Sequence, residues 1–390
     1  MKKYLLFLSM LVVISLQAQS ADTLQVIPMP QYANPFYEAF SRNYLGVEAA
    51  GRGYTGTAVA GSAQGALINP AIMMTDSTRV FTEVNIKPPV DAEGLAFSSR
   101  YSSPAPFGTL GVSFPLGTKI AAAVIYSNPK SLVLDDFSVV INQGADLVTR
   151  FPKYYLHQLS AAARYQLNDE WNLGLSVHNQ LHYLDDVIFL RTYDRVRDYS
   201  YSLRFQPGLF YQAGDLGLGL SAMLPTPIKW DLKYAAYDLT LPLELSAGLS
   251  YTKDIYRIST DFRYIQDSAL DDNFEDRMSI HLGAERREGN KILRAGYFYS
   301  SNIWDGTVLL PIDADSVDES IFWDDVSPTL PVKDNTQHFL SVGFGYFFRD
   351  GTINLSALTT VVSDSPCTQI NLSLSLYLSS FKRKDFLRFQ

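Results

Sequence analysis

The chain has 390 residues, with 40 acidic against 32 basic side chains, one cysteine and 13% aromatic residues. The acidic balance argues against nucleic acid as a partner, and a lone Cys367 excludes an internal disulfide. With 24 Tyr and 23 Phe against 4 Trp, many rings carry a polar tip, which suits a wall that meets a lipid–water boundary twice.

Lys2 and Lys3, an apolar stretch from Tyr4 to about Leu16, and the small residues of Ala18-Gln19-Ser20 read as a cleaved export signal over 1–20, cut after Ala18 or after Ser20. The run is shorter than the roughly 17–25 residues of a membrane-spanning helix, and no later run reaches that length. No cysteine near Ser20 offers a lipoprotein site. Removing Lys2 and Lys3 takes the formal charge from -8 to -10. Residues 21–39 form an extra segment without an assigned place.

Gly51 to Met73, GRGYTGTAVAGSAQGALINPAIM, holds one aromatic ring, one charge and a long run of Gly, Ala, Ser and Thr. Pro70 removes a donor and bars Asn69 from the helical region, so Asn69-Pro70-Ala71 ends whatever helix Ala58 to Leu67 forms. An ordinary small-residue loop with an Asn-Pro turn is the alternative.

From Val80 onward the regularity is alternation. In Tyr256 to Tyr264 one phase is Tyr256, Ile258, Thr260, Phe262 and Tyr264, and the other is Arg257, Ser259, Asp261 and Arg263. The spacing predicts strands over Val80–Ile86, Phe107–Phe114, Lys119–Tyr126, Tyr154–Leu167, Trp171–Leu181, Tyr199–Tyr211, Leu216–Leu224, Leu239–Tyr251, Tyr256–Ile265, Arg277–Arg286, Ile292–Ser300, His338–Phe347, Thr352–Thr360 and Thr368–Tyr377. That is about fourteen, within two, because Leu95–Arg100 and Lys229–Ala235 extend a neighbour or stand alone. A soluble sandwich also alternates. Here, however, short turns alternate with long connections (Ser127–Pro152, Tyr183–Asp198, Gln266–Asp276 and Ser301–Asn335), the ordering of a transmembrane antiparallel β-barrel with both chain ends on the periplasmic side.

Fourteen strands enclose a bore too wide to fill with their own side chains. The slim segment before the first strand is the natural plug, since Gly51, Gly53 and Gly56 let backbone approach the wall. Inward-facing Arg164, Arg204, Glu244, Arg257, Asp261, Arg263, Glu285 and Arg294 are expected to satisfy its polar groups. The five histidines suggest no metal: His178 and His182 lie about 13 Å apart at strand rise. No nucleophile, zinc or P-loop motif is present, so no enzymatic activity, cofactor or metal is expected. Acids crowd two loops, Asp267, Asp271, Asp272, Glu275 and Asp276, then Asp313, Asp315, Asp318, Glu319, Asp324 and Asp325. Solvated loops and divalent-cation binding are the two readings, without EF-hand spacing. The later loop also carries Ile303, Trp304, Leu309, Leu310, Ile321, Phe322 and Trp323, a ligand-capture surface or a lid.

Gly51-Arg52-Gly53-Tyr54-Thr55-Gly56, Ala58-Val59-Ala60 and Asn69-Pro70-Ala71 ahead of the first strand resemble the N-terminal hatch of the FadL/TodX-type outer-membrane transporters of long-chain fatty acids and other hydrophobic molecules. Tyr165 to Trp171, Leu224-Pro225-Thr226-Pro227, Arg294 to Tyr297 and His338 to Tyr346 are similar to the family too, so the likeness covers nearly the whole mature chain. It implies a fourteen-stranded barrel plugged by a hatch, a kinked third strand opening sideways, and passive uptake of a fatty-acid-like or aromatic ligand. The domain reading is then a signal over 1–20, an extension and hatch over 21–78, a barrel over 79–380 and a basic periplasmic tail over 381–390, in a monomer surrounded by outer-membrane lipid and lipopolysaccharide. The connection Pro225–Asp238 is shorter than the family's apolar loop, and the usual terminal aromatic is displaced by the run from Lys382-Arg383-Lys384 to Phe389-Gln390. The alternative is a barrel resembling PorV of the type IX secretion system, a structural or shuttle component of protein secretion.

Overall fold

The computed structural model describes residues 41–62, 64–73, 77–92, 99–103, 107–134, 137–141, 146–150, 153–190, 192–232, 235–270, 274–302, 307–309, 329–331, 336–361 and 367–378. The expected signal, the extension 21–39, the tail 381–390 and the acids at 271–272 and 313–325 lie outside them. Fourteen wall strands run β1 Arg79–Ala92, β2 Phe107–Pro115, β3 Ile120–Leu134, β4 Lys153–Gln166, β5 Trp171–Leu190, β6 Thr192–Ala213 and β7 Leu216–Met223. They continue as β8 Glu244–Lys253, β9 Tyr256–Ile265, β10 Arg277–Glu288, β11 Lys291–Ser300, β12 Gln337–Phe348, β13 Gly351–Thr360 and β14 Thr368–Tyr377. Each is antiparallel to the next, and β14 returns to β1 from Arg79↔Tyr377 to Ile86↔Ile370, closing the cylinder. Closure leaves the wall no unpaired edge, the condition for crossing lipid with strands.

The wall is inverted relative to a soluble protein. In β10 burial alternates residue by residue: Arg277, Ser279, His281 and Glu285 are buried, while Met278, Ile280 and Leu282 face out. The same outward band continues through Leu173, Leu203, Leu218, Leu249, Ile258, Val342 and Leu372. Apolar side chains on the outer face cost nothing against acyl chains, and polar ones on the inner face find partners there.

Tight turns gather at one rim. Gly214, Gly289 and Asp254 take left-handed φ values of 56°, 59° and 54° in the two-residue links β6–β7, β10–β11 and β8–β9, the backbone that short hairpins require. At the other rim the sequence reading needs correction. Tyr183–Asp198 is not a loop, because β5 and β6 stay paired out to Leu190↔Thr192. Water lies on both sides of a ladder beyond the lipid, so it no longer has to alternate; there Asp185 accepts hydrogen bonds from Arg195 and Arg197. Likewise β3 runs to Leu134, and Phe137–Ile141 pairs with Asp146–Arg150 within the expected loop 127–152. Leu239–Tyr251 is not one strand. Thr226–Leu232 and Ala235–Leu241 form their own hairpin, and the wall resumes at Glu244 after Pro242, which has no N–H to give a ladder. Ser99–Ser103 extends the sheet beside β1.

Residues 41–73 pack against the inner face. Tyr44 meets Tyr54 edge-on at 5.1 Å between ring centres and lies 5.4 and 5.5 Å from Phe298 and Phe339, which stack on each other at 4.3 Å. The inner face is therefore not polar throughout; β11 and β12 turn two aromatic rings inward to meet the two the segment brings.

Candidate functional site

Of the expected helix over Ala58–Leu67 the described residues keep a three-residue turn, Gly65–Leu67, and an α-helical turn forms earlier, at Val47–Ala50. So short a run of small residues cannot pay for helix nucleation; its backbone closes short local turns, and the N–H groups of Asn43, Tyr44, Gly46, Gly53, Gly56 and Thr57 donate to the wall. Asn69 does more than end a helix. Its side chain caps the turn Pro70–Ile72 by accepting from the Ala71 N–H at 3.0 Å, and it donates to the carbonyls of Thr57 at 2.8 Å and Leu209 at 3.1 Å. Fully buried, it ties two parts of the segment to β6.

The wall receives this backbone at paired glycines. Gly174 lies opposite Gly208 on β5 and β6, Gly219 opposite Gly248 on β7 and β8, and Gly283 opposite Gly296 on β10 and β11. A Cβ on Gly174 would stand 2.2 Å from the Ala71 nitrogen, one on Gly219 2.0 Å from the Thr57 oxygen, and one on Gly296 1.9 Å from the Gly53 nitrogen. Sequence reasoning missed these six positions. The available signal was a glycine on the polar phase of a strand, in register with a second glycine next door.

Between the glycine seats, charge and amides hold the segment. Glu285 gathers Arg52 of the segment at 2.8 Å, Arg294 at 2.8 Å and Arg257 at 3.3 Å, and Arg294 also donates to Asn354. Asp261 accepts at one oxygen from the Gly56 and Thr57 N–H groups and the Thr57 hydroxyl, at 2.8–2.9 Å. Arg263 donates to the Tyr54 carbonyl and lies over that ring at 4.4 Å. Arg164 donates to the Met73 carbonyl and to Asn172. Arg204 pairs with Glu244 at 3.1 Å, and Arg42 stands 3.8 Å from the same carboxylate. The eight inward residues thus fall into three clusters, with Arg164 apart. Of the capture residues, Ile303, Trp304, Leu310, Phe322 and Trp323 lie outside the described residues. Leu309 ends a short strand, Thr307–Leu309, paired with Thr329–Pro331.

Two further features concern passage. The ladder between β3 and β4 slips between Ser127 and Lys130, a bulge at Asn128-Pro129. Asn43 covers it: its amide donates to the Asn128 carbonyl and side chain at 2.8 and 3.0 Å and to Ser131, and its N–H donates to the Pro129 carbonyl. Beside it, a cavity of about 130 Å³ lies between the segment and the wall, bordered by Arg42, Leu45, Tyr54, Lys130, Arg204, Met223, Glu244 and Arg263. Among the described residues no group of His, Cys, Asp and Glu could hold a metal ion. His178 is bonded to Ser160 and Gln206, and His182 to Tyr154 and Ser202.

No family model and no curated protein matches the chain. Solved structures do. A FadL homologue from Pseudomonas aeruginosa superposes with a TM-score of 0.63 at 13% identity, over 87% of this chain and 99% of that one. The chain has the FadL/TodX-type fold. The toluene transporter TodX of Pseudomonas putida gives 0.60 at 15% identity over 86% and 98%, and TbuX, the toluene transporter of Ralstonia pickettii, gives 0.58 at 14% over 85% and 97%. At such low identity what is shared is the fold.

Proposed function

We propose that this protein is an outer-membrane channel, delivered by a cleaved export signal, that passively admits hydrophobic small molecules through a barrel whose bore is stoppered by residues 41–73. The observation that carries the reading is how the segment is held. It seats on three glycine pairs and is otherwise held by hydrogen bonds, ion pairs and the packing of Tyr44 on Phe298 and Phe339, with no disulfide, so it can shift without the wall unpairing. Its Asn43 covers the bulge in β3, so a shift there would uncover a sideways exit into lipid. The toluene transporters among the similar structures support a hydrophobic ligand by analogy of fold. The apolar residues of the loop 301–335 are proposed to collect it, and a monomer in outer-membrane lipid and lipopolysaccharide is the proposed working unit. Asn69→Ala, which removes three hydrogen bonds of the segment, is expected to change uptake of toluene or a fatty acid into vesicles while the barrel still assembles. Uptake identical to wild type for every apolar compound tried would sink the proposal.

A further inference from the structure

We propose that the outer face of β4, β5 and β6, at the rim opposite the tight turns, binds the phosphorylated sugar headgroup of a lipopolysaccharide molecule. This rests on the outer-membrane placement given above and not on what crosses the bore. Register stacks three kinds of side chain in order. Lys153, Asp185 and Arg197 stand opposite one another in one row across the three strands, and Tyr155, Tyr183 and Tyr199 in the next, about 6.6 Å lower along the strands. The tyrosine rings run side by side, with 6.2 Å between the centres of Tyr155 and Tyr183 and 4.9 Å between those of Tyr183 and Tyr199. One row further down Tyr201 is 70% exposed, and in the row after that Leu159 and Leu203 face out. The residues between them along each strand, Tyr154, His182 and Ser200, are buried inside. The lipid-facing phase therefore passes from alkyl to aromatic to charged, the order in which a membrane amphiphile presents its chains, its boundary and its headgroup.

Charge selects the headgroup. Asp185 accepts two hydrogen bonds from Arg195, at 2.7 and 2.5 Å, and one from the Tyr183 hydroxyl at 3.0 Å, so Arg195 alone matches its charge. Arg197 reaches the same carboxylate at 3.2 Å and keeps 46% of its side chain exposed. Lys153, opposite Asp185 in register, is exposed and makes no ion pair among the described residues. Asp198 belongs to the other phase of β6 and accepts there from the Asp231 N–H. A phosphate brings one to two negative charges and acceptor oxygens that a guanidinium engages in pairs. A zwitterionic headgroup would set its own ammonium against Lys153 and Arg197, and free phosphate gains nothing from the tyrosines and leucines below.

The test is native mass spectrometry of the full chain in detergent, titrated with lipid A bearing both phosphates, with lipid A stripped of them, and with phosphatidylglycerol. The phosphorylated lipid A is expected to bind at least about tenfold more tightly than either, as one charge-assisted hydrogen bond provides. Lys153→Gln combined with Arg197→Gln is expected to erase most of that preference, with folding checked by thermal unfolding. Arg286→Gln, an exposed guanidinium at the opposite rim, should leave it unchanged. Equal binding of phosphorylated and stripped lipid A overturns the proposal without recourse to any variant. Phosphatidylglycerol binding as tightly also overturns it, as does an unchanged preference in the folded double variant or an equal loss in Arg286→Gln. Toluene flux into vesicles is measured alongside. Flux with no lipid A preference overturns this proposal and leaves the channel reading standing, while a lipid A preference with no flux does the reverse.

Discussion

Gly296 and Gly283 face each other across β10 and β11, and the Arg52–Gly53 peptide lies on top of them. What a methyl group at Gly296 would strike, at 1.9 Å, is backbone, so no change of side-chain rotamer relieves it. Gly296→Ala is expected to destabilise the docked segment by about 1–3 kcal/mol, the usual cost of overpacking. Limited proteolysis of the detergent-solubilised protein would read this as new cleavage within 41–73 while the wall stays resistant. Glu285 poses the opposite problem, loss rather than excess. Glu285→Gln leaves Arg52, Arg257 and Arg294 buried together without their shared anion, and removing one partner of a buried ion pair costs about 3–5 kcal/mol. Thermal unfolding should show Glu285→Gln more damaging than Gly296→Ala. The reverse order would mean that glycine seating, not charge, is the stronger restraint.

At the level of elements, the strands could be read from the chain wherever lipid imposes an apolar outer phase. Tyr256–Ile265 and Thr368–Tyr377 have the bounds expected of them, and fourteen strands were countable, because each outward position must be apolar. Beyond the lipid that constraint ends. The extensions of β5 and β6 and the hairpin at 226–241, whose Trp230 is only 2% exposed and sits edge-on to His182, were misread as loop or strand for that reason. The resting place of 41–73 was legible as small residues needing a narrow space, but the matching glycines of the wall were hidden inside the polar phase of six strands. The connection after β9 illustrates how the water-side elements are fastened. Asp276 accepts from the Ser268 N–H and hydroxyl and from Tyr264. Burial works to raise its carboxyl, but the Ser268 and Tyr264 hydrogen bonds outweigh it and hold the group below the ordinary 3.8. Because the folded value is depressed, the tether is at full strength above 3.8 and is lost as pH falls through the folded value. The gap in thermal midpoint between wild type and Asp276→Asn should therefore be present at pH 7 and close as the pH drops below 3.8. A gap that stays constant from pH 7 to pH 3 would remove Asp276 from this role.

For the whole molecule the governing quantity is bore width. Eight strands fill their interior with side chains and sixteen to eighteen leave a water channel, so a ring of fourteen sits near the open limit unless something occupies it. Here the inner face is polar along most strands and charged at three clusters, a lining that water and ions would enter readily if the segment were absent. The segment does not hold the wall together, since the strand ladder closes through β14 and β1 without it. Deleting 41–73 is therefore expected to leave a barrel that still assembles and pairs, but to convert it from a closed body into an ion-conducting pore in planar bilayers. Anions should pass more readily than cations, because Arg164, Arg204, Arg257, Arg263 and Arg294 outnumber Glu244, Asp261 and Glu285 among the inward residues of the three clusters and Arg164, and Arg164 and Arg263 would lose the segment carbonyls to which they donate. Equal conductance with and without the segment would mean that the bore is sealed elsewhere, and the proposed gate would have to move with it.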